Sequence, residues 1–350
     1  MIVCSFILAV MLLASAYAGL VTPTGGWLST AAAILCVTFQ WIAAVCLCWA
    51  IVCLAARRWK AMAVMTLAIC LAWPTVSSHM PLHLTGTDAP TQPLFTVATM
   101  NVRNYNCSDT SGLKEQPSAS LRLLLDTDAD VILTQETFAY GWDYERFLAV
   151  RPLLAELRQR YPYRSVDRQG ITIFSKHPFT ATPVGPVEDT YDVAHHDRGW
   201  MHHYAMAYDL TLPDGQRLRV INVHLRSFGL ATLHAGNAWQ GLARAFALRA
   251  EQARQVRQAV DSGPRTVVVA GDFNDVPTSY TLRTVMGGDL GDSWQQCAAW
   301  PVATLHKPWI HHRIDYVLYR GDLSPVASQV PAGGSSDHRA VVTTFALGRK

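Results

Sequence analysis

No aspartate or glutamate occurs before Asp88, and the only lysines or arginines in that stretch are Arg57, Arg58 and Lys60. A segment this long with so little charge cannot be solvated as an ordinary globular surface, so it must be buried in protein or lipid. Ile2–Leu20, Trp27–Ala56 and Ala61 to about Ser78 are each apolar and long enough, at helical rise, to cross a hydrocarbon core of about 30 Å. Three transmembrane helices are therefore expected within residues 1–80, followed by a tether at 81–93 rich in Pro, Thr, Gly and Asp. Ala16-Tyr17-Ala18 resembles a signal-peptidase site, which would make residues 1–18 a cleaved leader; the absence of Lys and Arg ahead of the apolar run argues against it.

The positive-inside rule puts Arg57, Arg58 and Lys60 on the cytoplasmic side. The expectation is thus an integral, multi-pass chain whose part beyond His79 is extracytoplasmic. With those three residues set apart from the 29 basic ones, the remaining 26 face 26 acidic residues, so the soluble part is formally neutral. That balance excludes the broad basic excess of a non-specific nucleic-acid binder. Six of the eight cysteines sit in the apolar spans; Cys107 and Cys297 are left and could pair in an oxidising compartment. No Cys/His spacing suits a structural zinc.

From Leu94 onward short apolar runs alternate with amphipathic ones, as in one large α/β domain over residues 94–346. Strands are expected at Phe95–Met100, Val131–Leu133, Ile171–Phe174, Thr266–Ala270, Ile314–Tyr319 and Ala340–Phe345. A hairpin should join Tyr204–Leu212 to Arg217–Leu225 through Pro213-Asp214-Gly215. Helices are expected at Ser118–Asp126, Tyr144–Arg160 and Trp239–Asp261, the last with Leu242, Phe246, Ala253, Val256 and Val260 at helical spacing.

Polar residues recur at the ends of these strands: Asn101, Glu136, His224, Asp272, Asn274, Asp315, Asp337 and His338. Taken singly, each has a plainer reading. A carboxylate after a strand is usually a turn or cap, Asp337 in Ser335-Ser336-Asp337-His338 could be a turn, and a lone His224 could be a satisfied, partly buried histidine. Their joint occurrence in one domain outweighs those readings. His195, His196, His202 and His203 also gather around Trp200, but at no standard zinc spacing.

The segments Met100-Asn101-Val102-Arg103, Gln135-Glu136, Gly170-Ile171-Thr172-Ile173-Phe174-Ser175-Lys176, Asn222-Val223-His224-Leu225, Gly271-Asp272-Phe273-Asn274-Asp275, Arg313-Ile314-Asp315-Tyr316 and Ser336-Asp337-His338-Arg339 resemble, in order, the motifs of the endonuclease/exonuclease/phosphatase superfamily. The resemblance implies a four-layer α/β/β/α sandwich with two mainly antiparallel sheets and a metal-dependent phosphoesterase site at one end. It implies Glu136 as principal magnesium ligand, with Asn101 and Asp337 nearby and manganese as the alternative ion. It also implies Asp272 as the group that orients or deprotonates water and Asn274 as a phosphate contact. His338 paired with Asp315 would bind or protonate a phosphate oxygen, and His224 would be a general acid or phosphate donor. Arg103, Ser175, Arg226 and His312, within or beside these motifs, are candidates for substrate contact. The fold leaves the substrate open. The membrane anchor and charge balance favour a lipid or lipid-linked phosphoester, with DNA or RNA as the alternative and no protein partner.

Overall fold

A computed structural model describes residues 1–80, 94–103, 119–137, 153, 155–166, 170–185, 188–189, 201–202, 204–228, 237–297, 300–308 and 310–348. The expected tether, Cys107 with its pairing to Cys297, His195, His196, Trp200, His203, the side chain of His202 and most of the helix expected over Tyr144–Arg160 lie outside these residues.

Helix Ile2–Tyr17 runs through a 3-10 turn to Leu20 and is the one unbroken helix, among the described residues, long and apolar enough to cross a membrane. The other two expected spans are bent. Trp27–Val37 meets Phe39–Ala55 at 61°, and Trp59–Leu71 meets Trp73–His79 at 64°, so there are three spans if each bent pair counts as one. Both bends have local causes. Thr38 turns its Oγ1 onto the carbonyls of Ile34 and Leu35. Pro74, in the first turn of its helix, has no N–H to continue the preceding one.

The bundle has two distinct ends. Ser5 lies beside Cys53 and accepts a hydrogen bond from Trp49 Nε1, so the N-terminus and the Arg57–Lys60 turn share one end. Thr75 donates to the Ala16 carbonyl, so Leu20 and His79 share the other. That second end packs on the soluble domain: Ala18 and Cys36 cluster with Val276, Trp27 lies 6.2 Å from Trp239 ring to ring, and Gln40 Nε2 donates to the His311 carbonyl at 3.2 Å. At Gly19 a Cβ would fall 1.9 Å from the Thr278 carbonyl oxygen, so only glycine allows this approach.

Among the described residues the soluble domain carries sixteen strands: Leu94–Asn101 (β1), Val131–Thr137 (β2), Tyr163–Val166 (β3), Gly170–Ser175 (β4), Phe179–Pro183 (β5), Glu188–Asp189 (β6), Met201–His202 (β7), Ala205–Thr211 (β8), Arg217–His224 (β9), Val267–Asp272 (β10), Gly291–Asp292 (β11), Leu305–Lys307 (β12), Ile310–His312 (β13), Asp315–Arg320 (β14), Leu323–Gln329 (β15) and Val341–Leu347 (β16). Six form a sheet in the order β15-β16-β1-β2-β4-β3 and six more in the order β11-β14-β10-β9-β8-β5. Alternation decides what each face buries. Val97, Val131, Leu133 and Ile173 of the first sheet meet Tyr208, Val220, Val268 and Val317 of the second between the sheets. Ala98 and Ile132 face outward onto Leu121, Leu124 and Leu157. Ile221, Val267 and Val269 face outward onto the long helix Ala238–Asp261 through Ala253, Val256 and Val260. Strands buried on both faces read as the continuous apolar runs seen in the sequence. The result is the expected α/β/β/α sandwich.

Asn222 ties the two sheets together. It accepts from Gln135 Nε2 at 2.6 Å and donates to the carbonyls of Thr134 and Thr172. The strands not read from the sequence are short or lie at edges: β5 is largely exposed, and β15 carries Pro325 beside a bulge, so neither shows an apolar run.

Each sheet contains one parallel pair, β1 with β2 and β9 with β10. Parallel pairing brings two strand C-termini to the same end, so Asn101 and Glu136 emerge together in one sheet and His224 and Asp272 in the other. The close approach behind this end depends on Gly271, which has φ of +138° and would place a Cβ 2.1 Å from the Val223 carbonyl oxygen. Gly271→Ala is expected to destabilise the domain by about 3 kcal/mol through strain and overpacking. Chemical denaturation of the two proteins checks this, and an unchanged midpoint would show that the backbone relaxes freely there.

Candidate active site

Three non-glycine residues at the joined strand ends have left-handed backbones: Arg103 (φ 45°), Glu136 (φ 55°) and Asn274 (φ 52°). Such conformations cost free energy and persist only where packing enforces them. At Glu136 the enforcement is a register shift between Thr134 and Thr137 in the β2–β4 pairing, which breaks the alternation of β2.

Asn101 is the hub of the cluster. Buried at the end of β1, it donates through Nδ2 to Glu136 Oε1 at 2.9 Å and to Asp272 Oδ2 at 3.0 Å, while its Oδ1 accepts from the Arg103 amide. Asp272 accepts a second bond on Oδ1 from the Asn274 amide at 2.8 Å. His224 Nε2 stands 3.7 Å from Glu136 and 3.8 Å from Asp272. His338 Nδ1 lies 3.0 Å from buried Asp315 Oδ2, and its Nε2 lies 3.8 Å from Asp272. Ser336 holds this last loop by donating to the Asn101 carbonyl and accepting from the His338 amide.

Burial works against charge on the His338 ring, but the carboxylates of Asp315 and Asp272 and the hydrogen bond to Asp315 outweigh it and raise its pKa to about 10. Burial pushes the Asp315 carboxyl upward, opposed by the facing imidazolium. The pair is therefore an aspartate carrying a protonated histidine. Asp272, Asp315 and His338 offer ligand atoms within 4.8 Å of one another. A ring held protonated has no lone pair for a metal, so this trio suits proton and oxyanion chemistry better than metal ligation. A hard divalent cation fits the carboxylate oxygens gathered at Asn101 Nδ2: Glu136, part-exposed and without a Lys or Arg partner among the described residues, with Asp272.

Some residues expected at the site fall elsewhere. Asp337, in the loop that Ser336 ties to the Asn101 carbonyl, faces Arg103 at 3.7 Å and Lys307 at 3.4 Å, and it is Asp272 that shares Asn101 Nδ2 with Glu136. Ser175 pairs with Val131, at the opposite end of β2 from Glu136, and hydrogen-bonds His177; because β4 runs antiparallel to β2, its other terminus, Gly170, lies by the site. Asn274 donates one amide hydrogen to the Leu225 carbonyl, leaving the other for a phosphate oxygen. Arg226 lies two residues beyond His224, held through its amide by Gln252. His312 is buried where the helical bundle meets the domain, and burial lowers its pKa.

One supporting residue was missed. Arg249 is fully buried on the long helix, and its Nη1 donates to the carbonyls of Arg226 and Asn274 at 3.0 and 2.7 Å, clamping the two loops that carry them. Its guanidinium also pairs with Asp275 at 3.1 Å. The signal was available: position 249 falls on the stripe Phe246, Ala253, Val256, Val260, where a charge must have buried partners.

A family model described as Endonuclease/Exonuclease/phosphatase family matches residues 98–338. Among solved structures, the endonuclease/exonuclease/phosphatase from Bacteroides vulgatus is 18% identical, with 73% of this chain and 100% of that one covered at a TM-score of 0.50. The human Nocturnin catalytic domain with bound sulfate anion is also 18% identical, with 73% and 94% covered at 0.50. An endonuclease/exonuclease/phosphatase from Beutenbergia cavernae is 21% identical, with 73% and 72% covered at 0.48. No curated protein matches the chain. At these identities the structural likeness is one of fold.

Proposed function

We infer, for a chain that belongs to the endonuclease/exonuclease/phosphatase family and is thus a phosphoester hydrolase, that its substrate is a lipid or lipid-linked phosphate at the outer membrane surface. The observation that carries this reading is the seat of the apolar helices. Ala18 and Cys36 pack on Val276, four residues beyond Asp272, so the site-bearing end of the domain is held against the helical bundle. Confinement at a bilayer raises the effective concentration of lipid head groups and gives no such advantage toward diffusing polynucleotide. The neutral charge balance of the soluble part agrees. Arg57, Arg58 and Lys60 belong to the bundle end away from the domain, which supports a multi-pass anchor with the domain outside the cytoplasm.

In this reading Glu136 and Asp272, which share Asn101 Nδ2, would hold magnesium, with manganese as the alternative. When bound, the cation supplies charge neutralisation at the phosphoryl oxygens. Asp272, fixed on both oxygens by Asn101 and Asn274, orients the attacking water and accepts its proton. Protonated His338 donates from Nε2 to a phosphoryl oxygen while Asp315 keeps its ring oriented. His224 Nε2 is placed to donate to the departing oxygen. Arg103, near Asp337 at the rim, and Arg226 offer positive charge to the bound anion.

The test is the full-length protein in lipid vesicles with magnesium, offered phosphatidic acid, polyprenyl phosphates and pyrophosphates, plasmid DNA and RNA. Lipid-phosphoester turnover at least about tenfold above nucleic-acid cleavage is the expected outcome. Rapid cleavage of plasmid or RNA with no lipid turnover would replace this reading with a tethered nuclease.

A further inference from the structure

Where the helices meet the domain they leave a cavity of about 480 Å³, within the range of small-molecule sites. Its helix side is formed by Phe39, Ala43, Leu47 and Ile69, and its domain side includes Val276 and Val302. Leu47 is 57% exposed and Met80, also on the wall, is 51% exposed, so the cavity opens at the surface of the junction. The wall is not wholly apolar, because His312 and Arg313 belong to it. Arg313 is buried; its Nη1 pairs with Asp292 at 2.7 Å, while its Nη2 is buried without a hydrogen-bond partner. Arg313 lies two residues before Asp315, and Val276 four residues after Asp272, so the cavity abuts the segments that carry the site.

We propose that this cavity holds one hydrocarbon chain of the membrane phosphoester that the enzyme cleaves, entering from the bilayer beside Leu47 with its phosphate directed to Asp272 and His338. The assignment rests on the lipid reading given above. Three features select this occupant. The apolar wall is built partly from helices of bilayer-spanning composition, so a chain can move from lipid into the cavity without crossing water. A water-soluble ligand would have to shed its hydration against that wall with few polar partners in return. The buried Arg313 Nη2, without a hydrogen-bond partner, leaves a donor unused in a wall residue next to the segment where an anionic head group must sit.

The experiment compares the full-length protein in vesicles on two diesters with one leaving group, hexadecyl p-nitrophenyl phosphate and methyl p-nitrophenyl phosphate. Ala43→Phe fills the cavity from the helix side and Val302→Phe from the domain side. Each is expected to lower the ratio of long-chain to short-chain kcat/KM by about tenfold or more, mainly through KM. A wild-type ratio near one overturns the lipid reading and this assignment together. A high wild-type ratio that neither variant lowers, with melting temperatures near wild type, overturns the cavity assignment alone. Photolabelling of the unsubstituted protein with a diazirine-bearing hexadecyl phosphate covers the case of a variant that fails to fold. Label competed by hexadecyl phosphate in the Phe39–Leu47 and Val276–Val302 peptides supports the proposal, and label confined to other faces of the helices refutes it. A chain labelled in the cavity while both variants keep the wild-type ratio would be a structural lipid, and this too rejects the substrate role.

Discussion

Glu136→Gln is expected to lower kcat/KM for phosphoester hydrolysis by about a thousandfold or more while leaving the melting temperature near that of the wild type. The change removes one charge and almost no volume. Its carboxylate is part-exposed, and a Gln oxygen can still accept from Asn101 Nδ2, so the hydrogen bond that seats the side chain survives. What is lost is the anionic oxygen not offset by any Lys or Arg among the described residues. The metal requirement should move with it: chelation should abolish wild-type turnover, added magnesium should restore it, and the variant should need at least about tenfold more magnesium for what activity remains. Wild-type turnover in Glu136→Gln, or turnover indifferent to a chelator, would show that the cation is not held here.

Asp315→Asn should cost about a hundredfold to ten-thousandfold in kcat/KM at pH 8, because it removes the charge that keeps His338 protonated. The sign follows from the shift. In the folded protein His338 is raised to about 10 from an ordinary value near 6.5. Its charged pair therefore contributes stability fully below pH 6.5, and this contribution fades as the pH climbs through about 10. Activity that needs the imidazolium should fall along an alkaline limb near 10 in the wild type. Without Asp315, Asp272 is the main group left to oppose burial, and the limb should move to lower pH. The variant sheds its proton rather than bury an unpaired charge, so its loss of stability should be smaller than the about 3–5 kcal/mol typical of a broken buried pair. Ring titration of His338 by NMR decides the matter, since a wild-type midpoint near 6.5 would remove the basis for the assigned role.

The strand-end polar residues were legible because chain order and strand direction are one-dimensional information. A buried strand is an apolar run, and the residue that follows it must leave the sheet at a known end. Asn101, Glu136, His224 and Asp272 obey this rule, as parallel pairing places them two by two at one end of each sheet and Asn101 bonds across to Asp272. Ser175 shows the limit of the rule. It also ends an apolar run, but β4 is antiparallel to β2, and a strand's direction relative to its neighbours is set by the path of the intervening chain rather than by its own residues.

The change of composition at about residue 80, the apolar helices, the doubly buried strands and the polar residues that close them could be read along the chain. Each follows from the local balance of charge, periodicity and residue type. That Asp272 shares Asn101 with Glu136, that Arg249 clamps two site loops, and that the helical bundle seats on the loop after Asn274 and encloses a cavity with His312 and Arg313 emerged only from the packed fold. These depend on which side chains compete for one partner across elements 23 to 242 residues apart in the chain. Pattern along the chain does not encode that competition, because it is settled by packing the two sheets and the helices into one volume.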